Sequence, residues 1–268
     1  MLVVLGGGDG TVDGGLHVRN ALVVVVEAGQ SGPFKGGVRT GGDGLLVFAF
    51  GGGRVFLLLG DLAADPSLIA LSLPIDYWDY LGWKDTLASP AHSARQRAYA
   101  RIRGDRQVYT PQIVVNGSTH VLGSDRAAIE RAVTQTDRNV VMSVPVRITV
   151  DDGNLDIKVG ASKDHGSGEV WLCPLARAVQ VDIGRGENHG RAITYTNVVR
   201  RWVKLGDWSG GELSWSVPLS EISAEHGDAV AVMIQQGSHE KPGAVLGAAF
   251  APIGRQTTQL GTDHSNDQ

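Results

Sequence analysis

Cysteine is nearly absent from this 268-residue chain: Cys173 is the only one. That excludes an intrachain disulfide and any CxxC pair. Long apolar runs are missing as well. The longest, such as Ala21 to Val26 and Leu45 to Phe50, fall far short of the roughly 20 residues a membrane-spanning helix needs. The run after Arg19 stops at Glu27 and is too short for the apolar region of a secretory signal. A basic excess is lacking too. Net charge is −4 and the pI is near 6.0, which argues against nucleic acid as a partner. No His or Cys stands at ligand spacing from Asp76, Asp79 and Asp85, so no metal and no cofactor are expected. Serine is scarce in one place: Ser31 alone occurs in the first 60 residues, which hold seventeen of the 37 glycines.

What is present divides along the chain. Residues 1–57 alternate apolar runs with glycine clusters and sustain no helical period. Short strands fit Leu2–Leu5, Leu22–Glu27, Leu45–Phe50 and Val55–Leu59, and the fold of the segment is doubtful. It opens with LGGGDGTV (Leu5 to Val12), which resembles the GGDGT signature of NAD kinases and diacylglycerol kinases. In those families the acid, here Asp9, lies at the metal and phosphate centre. A phosphate loop must open a helix or a defined turn, and VDGGLHVRN supplies no apolar periodicity. Nucleotide binding is therefore a remote alternative.

From residue 58 the pattern becomes regular. An amphipathic helix ends at Leu62–Ala63, before Pro66. Ser67 to Leu73 reads as a buried strand. SPAHSARQRAYARIRG reads as a helix capped by Ser89, with Pro90 in its first turn and Gly104 at its exit. Its Ala91, Ala94, Ala98 and Ile102 form the expected sheet-facing stripe. Its basic run, Arg95, Arg97, Arg101, Arg103 and Arg106, is expected to be solvated. Gln112 to Val115 and His120 to Leu122 flank Asn116-Gly117, a strong hairpin signal. SDRAAIERAV reads as a helix capped by Ser124.

After Arg138 the pattern is β. Val144, Val146, Ile148 and Val150 alternate, and Leu155, Ile157 and Val159 answer across a turn. Further strands are expected at Glu169–Leu175, Val179–Ile183, Ile193–Val199, Leu213–Val217, Ala229–Gln235 and Ala244–Phe250. The fold class is thus α/β plus all-β: a glycine- and valine-rich segment at 1–57, an α/β unit at 58–139, a β-sandwich at 140–254 and a disordered tail at 255–268.

IDYWDYLGWKDTLASPAHSARQRAYA, VYTPQIVVNG and RGENHGRAITYTNVVR resemble hallmark strings of the bacterial domain-of-unknown-function family 1223, over about residues 58–252. The resemblance implies a thioredoxin-like unit, relation to thiol–disulfide oxidoreductases, and an exported, periplasmic or secreted protein. It also implies a strand and a CxxC loop ahead of the first helix. GLLVFAFGGGRVFLL stands there instead, so the unit is expected to be incomplete, and residues 1–57 are consistent with a coding stretch read in the wrong frame. Pro74 departs from the family's usual His.

Candidate site residues follow. The resemblance places a cis-proline at Thr110-Pro111, leaving a backbone edge open to an extended peptide. Asp76, Tyr77, Trp78 and Trp83 sit just after a strand, where ligands of open α/β sheets gather. Glu187, His189 and Arg191 are the polar concentration of the second half, with acid–base roles conceivable. The competing readings are a thioredoxin-like protein of unknown substrate without its redox pair, and a non-catalytic module holding a peptide or small molecule. Cys173, inside EVWLCPL, is expected to be a buried, inert thiol.

Overall fold

The structure, a computed structural model, describes residues 21–28, 53–65, 68–79, 84–138, 143–151, 153–184, 190, 192–223 and 227–253. The GGGDGT stretch, Trp83, Glu187, His189, Arg191 and the tail lie outside them.

The sheet starts within the segment whose fold was in doubt. The valine run forms β1 (Ala21–Ala28), as β-branched residues favour. It lies parallel to β2 (Leu68–Ile75), Ala21 against Leu68 through Ala28 against Ile75. Its other edge pairs antiparallel with β3 (Gln112–Val115), which continues into β4 (Thr119–Leu122). The order here is β2-β1-β3-β4. This corrects the expectation that the unit is incomplete for want of its first strand. β1 occupies one side of β2, and β8 (Ala192–Val199) the other. Val55–Leu59 is also not a strand but part of α1 (Gly53–Ala64).

α2 (Pro90–Arg103) begins and ends as its punctuation predicts. The Ser89 hydroxyl accepts from the Ala91 N–H, and Gly104 takes the left-handed conformation (φ 78°). Its buried face differs from expectation. Ala91 and Ala94 are exposed and Ile102 is 49% exposed, whereas His92, Ser93, Arg95, Gln96, Ala98, Tyr99 and Ala100 are buried. α3 (Arg126–Arg138) is capped by Asp125, whose carboxylate accepts from the Ala128 N–H at 2.9 Å, rather than by Ser124.

The remaining elements are β5 (Val146–Asp151), β6 (Asn154–Val159), β7 (Gly168–Asp182), β9 (Val203–Trp208), β10 (Leu213–Pro218), α4 (Leu219–Ser223), β11 (Ala229–Ser238) and β12 (Lys241–Pro252). The two strands expected at Glu169–Leu175 and Val179–Ile183 are one, β7. β9 was not foreseen, and Val150 is exposed rather than inward. Among the described residues the fold is mostly β. A nine-stranded sheet runs β12-β11-β7-β8-β2-β1-β3-β4 with β9 also on β7, and a second sheet runs β10-β6-β5.

Strand alternation assigns the cores. Val170, Leu172, Val230, Val232 and Ile234 meet Val146, Ile148, Leu155 and Ile157 between the two sheets. On the opposite face, Trp171, Cys173, Leu175, Ala231 and Met233 join Ile69, Leu71, Leu73 and Ile75 from β2. Leu68 and Ala70 point the other way, into a core with Leu59, Leu62, Ile113 and Ile129 beneath α1 and α3. The large sheet curls towards closure: the Val245 N–H of β12 donates to the Asn116 carbonyl at the β3–β4 turn, 2.9 Å away. That turn has Asn116 at φ 47° and Gly117 at φ 72°, the conformation Asn-Gly favours.

Candidate functional site

The polar face of α2 organises the molecule's convergent polar groups. At the end of β2 the chain turns through Asp76, Tyr77 and Trp78, and α2 fastens that turn. The Ser93 hydroxyl donates to the Asp76 carboxylate and accepts from the Asp76 N–H at 3.2 Å. The Tyr77 hydroxyl donates to Gln96 Oε1 at 2.9 Å. Gln96 Nε2 in turn donates to the Tyr109 carbonyl at 2.8 Å. Trp78 Nε1 donates to Thr110 Oγ1 at 3.3 Å. Asp76, Tyr77, Trp78, Thr110 and Pro111 are therefore brought into one region. The Thr110-Pro111 bond is cis, and Thr110 is half-buried. Among the described residues nothing pairs with the backbone N–H or C=O of Thr110. Beside it the Tyr109 hydroxyl lies 2.8 Å from His120 Nδ1.

Burial raises the Tyr77 phenol above its ordinary pKa, opposed by the Gln96 hydrogen bond and the nearby Arg97 charge. His92, behind the turn, places Nδ1 2.9 Å from the Pro74 carbonyl. Burial lowers its pKa to about 4, the bond to Pro74 resisting, so it is neutral at physiological pH. Asp85 is buried with Oδ2 accepting from the Tyr195 hydroxyl at 2.5 Å and Oδ1 from the Leu87 N–H at 2.9 Å. Burial pushes its carboxyl up. Asp79 lies beside Asp85, its Oδ1 accepting from the Asp85 N–H at 3.4 Å. Among the described residues no three acids, histidines or cysteines gather at metal-binding distance.

A second cluster lies on the same helix. Arg95, expected on a solvated face, is 1% exposed. Its Nη2 donates to Gln235 Oε1 and, at 3.4 Å, to the Tyr99 hydroxyl. Gln235 Nε2 donates at 2.8 Å to both the Tyr99 hydroxyl and the Gly243 carbonyl. The guanidinium stacks 3.9 Å from the Trp202 ring centroid. Cys173 is fully buried in this core, and burial drives its thiol up to about 12.

Ser93, Gln96, Tyr99, Tyr109 and Gln235 went unnoticed in the sequence, and Arg95 was read as solvated. The signal was present in His92, Arg95, Gln96 and Tyr99, which recur at helical spacing as an apolar stripe would. A stripe of polar residues reads as solvent-facing unless its partners, some 140 residues away, are known.

The fold and this polar helix face define a mostly β protein built on one long mixed sheet, with helices flanking one end. The chain belongs to the family described as Protein of unknown function (DUF1223), whose model matches residues 56–235. It is also similar to the X-ray structure of protein AGR_C_4864 from Agrobacterium tumefaciens, with 25% identity and a TM-score of 0.72, over 90% of this chain and 97% of that one. No curated protein matches the chain.

Proposed function

We propose that residues 21–138 form a thioredoxin-like unit that binds an extended peptide at the Thr110 edge without exchanging disulfides. The order strand–helix–strand–helix–strand–strand–helix and the sheet order β2-β1-β3-β4 support the thioredoxin-like reading. The observation that carries the binding role is the Thr110 backbone, unpaired among the described residues, a donor and an acceptor flanked by Trp78, with Gln96 holding the preceding Tyr109 carbonyl. An extended peptide pairing there would gain main-chain hydrogen bonds and aromatic contact together. The lack of exchange chemistry rests on sulfur. Exchange needs an accessible thiolate and a resolving partner, whereas Cys173 is buried, protonated and alone.

A set of fluorescein-labelled octapeptides of varied sequence, titrated with the full chain and read by anisotropy, tests this. Saturable binding is expected for part of the set, weakened about tenfold by Trp78→Ala, on the scale of a buried aromatic contact. N-methylating the peptide backbone should weaken it similarly. Binding indifferent to both changes, absence of binding across the set, or insulin reduction lost on Cys173→Ser would overturn the proposal.

A further inference from the structure

We propose a second site, independent of the Thr110 edge: Arg95 binds the carboxylate of a small ligand with a flat apolar body. The guanidinium uses one nitrogen, Nη2, on Gln235 and Tyr99. Its other two nitrogens, Nε and Nη1, are buried and have no hydrogen-bond partner among the described residues. Two more buried nitrogens near it are also unpartnered: Trp202 Nε1, on the ring that stacks under Arg95, and His239 Nδ1. Trp171 links them, with its ring centroid 6.3 Å from Trp202 and 5.4 Å from His239.

Buried donors are nearly always satisfied, and a buried cation without counter-charge is costly, so this concentration calls for an acceptor. None is supplied internally, because among the described residues no carboxylate pairs with Arg95. Of the two acids that act on His239, Glu169 and Glu240, the former has Oε1 committed to Lys204 at 2.7 Å. Its Oε2 is itself buried and unpartnered.

Charge selects the ligand class. Nε and Nη1 point to different sides of the guanidinium, so they offer a carboxylate single charge-assisted hydrogen bonds rather than a two-point edge. Trp202 Nε1 adds a neutral donor, and His239 Nδ1 adds a second when that nitrogen carries the proton of the neutral ring. Burial lowers the His239 pKa, and the Arg95 charge lowers it further. One cation therefore balances one monoanion, and a phosphate dianion would bury excess charge. The Trp171, Trp202 and Tyr99 rings stand beside Arg95 and His239 and suit an apolar body. Trp202 and His239 are only half-buried, so the site meets solvent on their side.

Benzoate is the probe, with acetate, inorganic phosphate and the uncharged isostere benzamide as comparison arms. Thermal shift and tryptophan fluorescence of the full chain are the readouts. Benzoate is expected to raise the melting temperature saturably and to change the fluorescence. Acetate should act at least tenfold more weakly, and benzamide and phosphate not at all. Arg95→Met should abolish the benzoate response, and Arg95→Lys, which keeps the charge but loses the planar head stacked on Trp202, should leave a weakened one. Should both fail to fold, His239→Ala, at the rim, should weaken benzoate severalfold. No saturable response to benzoate would overturn the proposal, as would an equal response to benzamide, a response to phosphate alone, or a response unchanged by these substitutions. A crystal structure pairing Arg95 with Glu169 would overturn it also, by showing that the acceptor is internal.

Discussion

The two faces of the long sheet are built from different materials. The face towards β10-β6-β5 is packed mainly with Val, Ile and Leu, and the Nε1 of its buried Trp208 is satisfied by the Gly211 carbonyl at 2.7 Å. The face towards α2 holds Ser93, Arg95, Gln96 and Gln235 among its apolar side chains, with His92 and Asp85 near the β2 end. Apolar packing rewards volume and tolerates exchange, whereas a buried polar network stabilises only when each member finds its partner. Unpartnered donors therefore mean little as ornament of the second face and much as a mark of where a ligand would enter.

That contrast can be broken most forcefully on the apolar face. Trp208→Ala should cost ~3–5 kcal/mol, seen as a lower urea midpoint with little dependence on pH. On the α2 face, pH is the lever. The folded pKa of His92, about 4, lies below its ordinary 6.5. Its contribution is therefore complete above pH 6.5 and is lost as pH falls towards 4, by about 3 kcal/mol in all. His92→Asn, which keeps a donor towards Pro74, should flatten urea midpoints across that window. An unchanged slope would show that His92 is protonated without penalty.

Asp85 sharpens the contrast with the opposite sign. Its folded pKa is raised, so the native state holds its proton longer than the unfolded chain, and stability falls as pH rises from 3.8 through the raised value. Asp85→Asn should remove that fall while Tyr195 keeps an acceptor. Tyr195→Phe should cost ~1–3 kcal/mol by stranding the acid. The smallest effect concerns Cys173. A thiol reagent such as DTNB should label it only as fast as the protein unfolds, and prompt labelling in native buffer would contradict its burial.

Much of this fold could be read from residue order. The strand at β2, the capped helix α2, the Asn-Gly hairpin and most later strands each announce themselves through alternation or punctuation. What escaped detection has a common physical cause. The strand pattern at Leu22–Glu27 was legible, but its role as the first strand of the sheet was not, because only pairing with β2 and β3 gives β1 its place. β9 carries Lys204, Gly206 and Asp207 in six residues, too polar to reveal a strand that borrows order from β7. The site divided likewise. Asp76, Tyr77, Trp78, Thr110 and Pro111 stood out through composition and family resemblance, while Arg95 was concealed because its burial depends on Trp202 and Gln235, far along the chain.

The seam between the two ends of the sheet has a kinetic consequence. β2 and β8 meet through a single ladder pair, Ser72 with Val198. Side chains stitch the rest: Ser72 Oγ donates to the Thr196 carbonyl at 2.7 Å, and Asn197 Nδ2 to the Ala70 carbonyl at 2.9 Å. A join of so few bonds is a natural place for sub-global opening. Amide protons of β2 that face β8 should exchange with solvent sooner than those of β7 and β11, whose ladder is continuous over eight residue pairs. During synthesis, the strands on the near side of the seam are complete well before residue 192 emerges, so that end of the sheet would wait with one edge bare until β8 arrives to cover it.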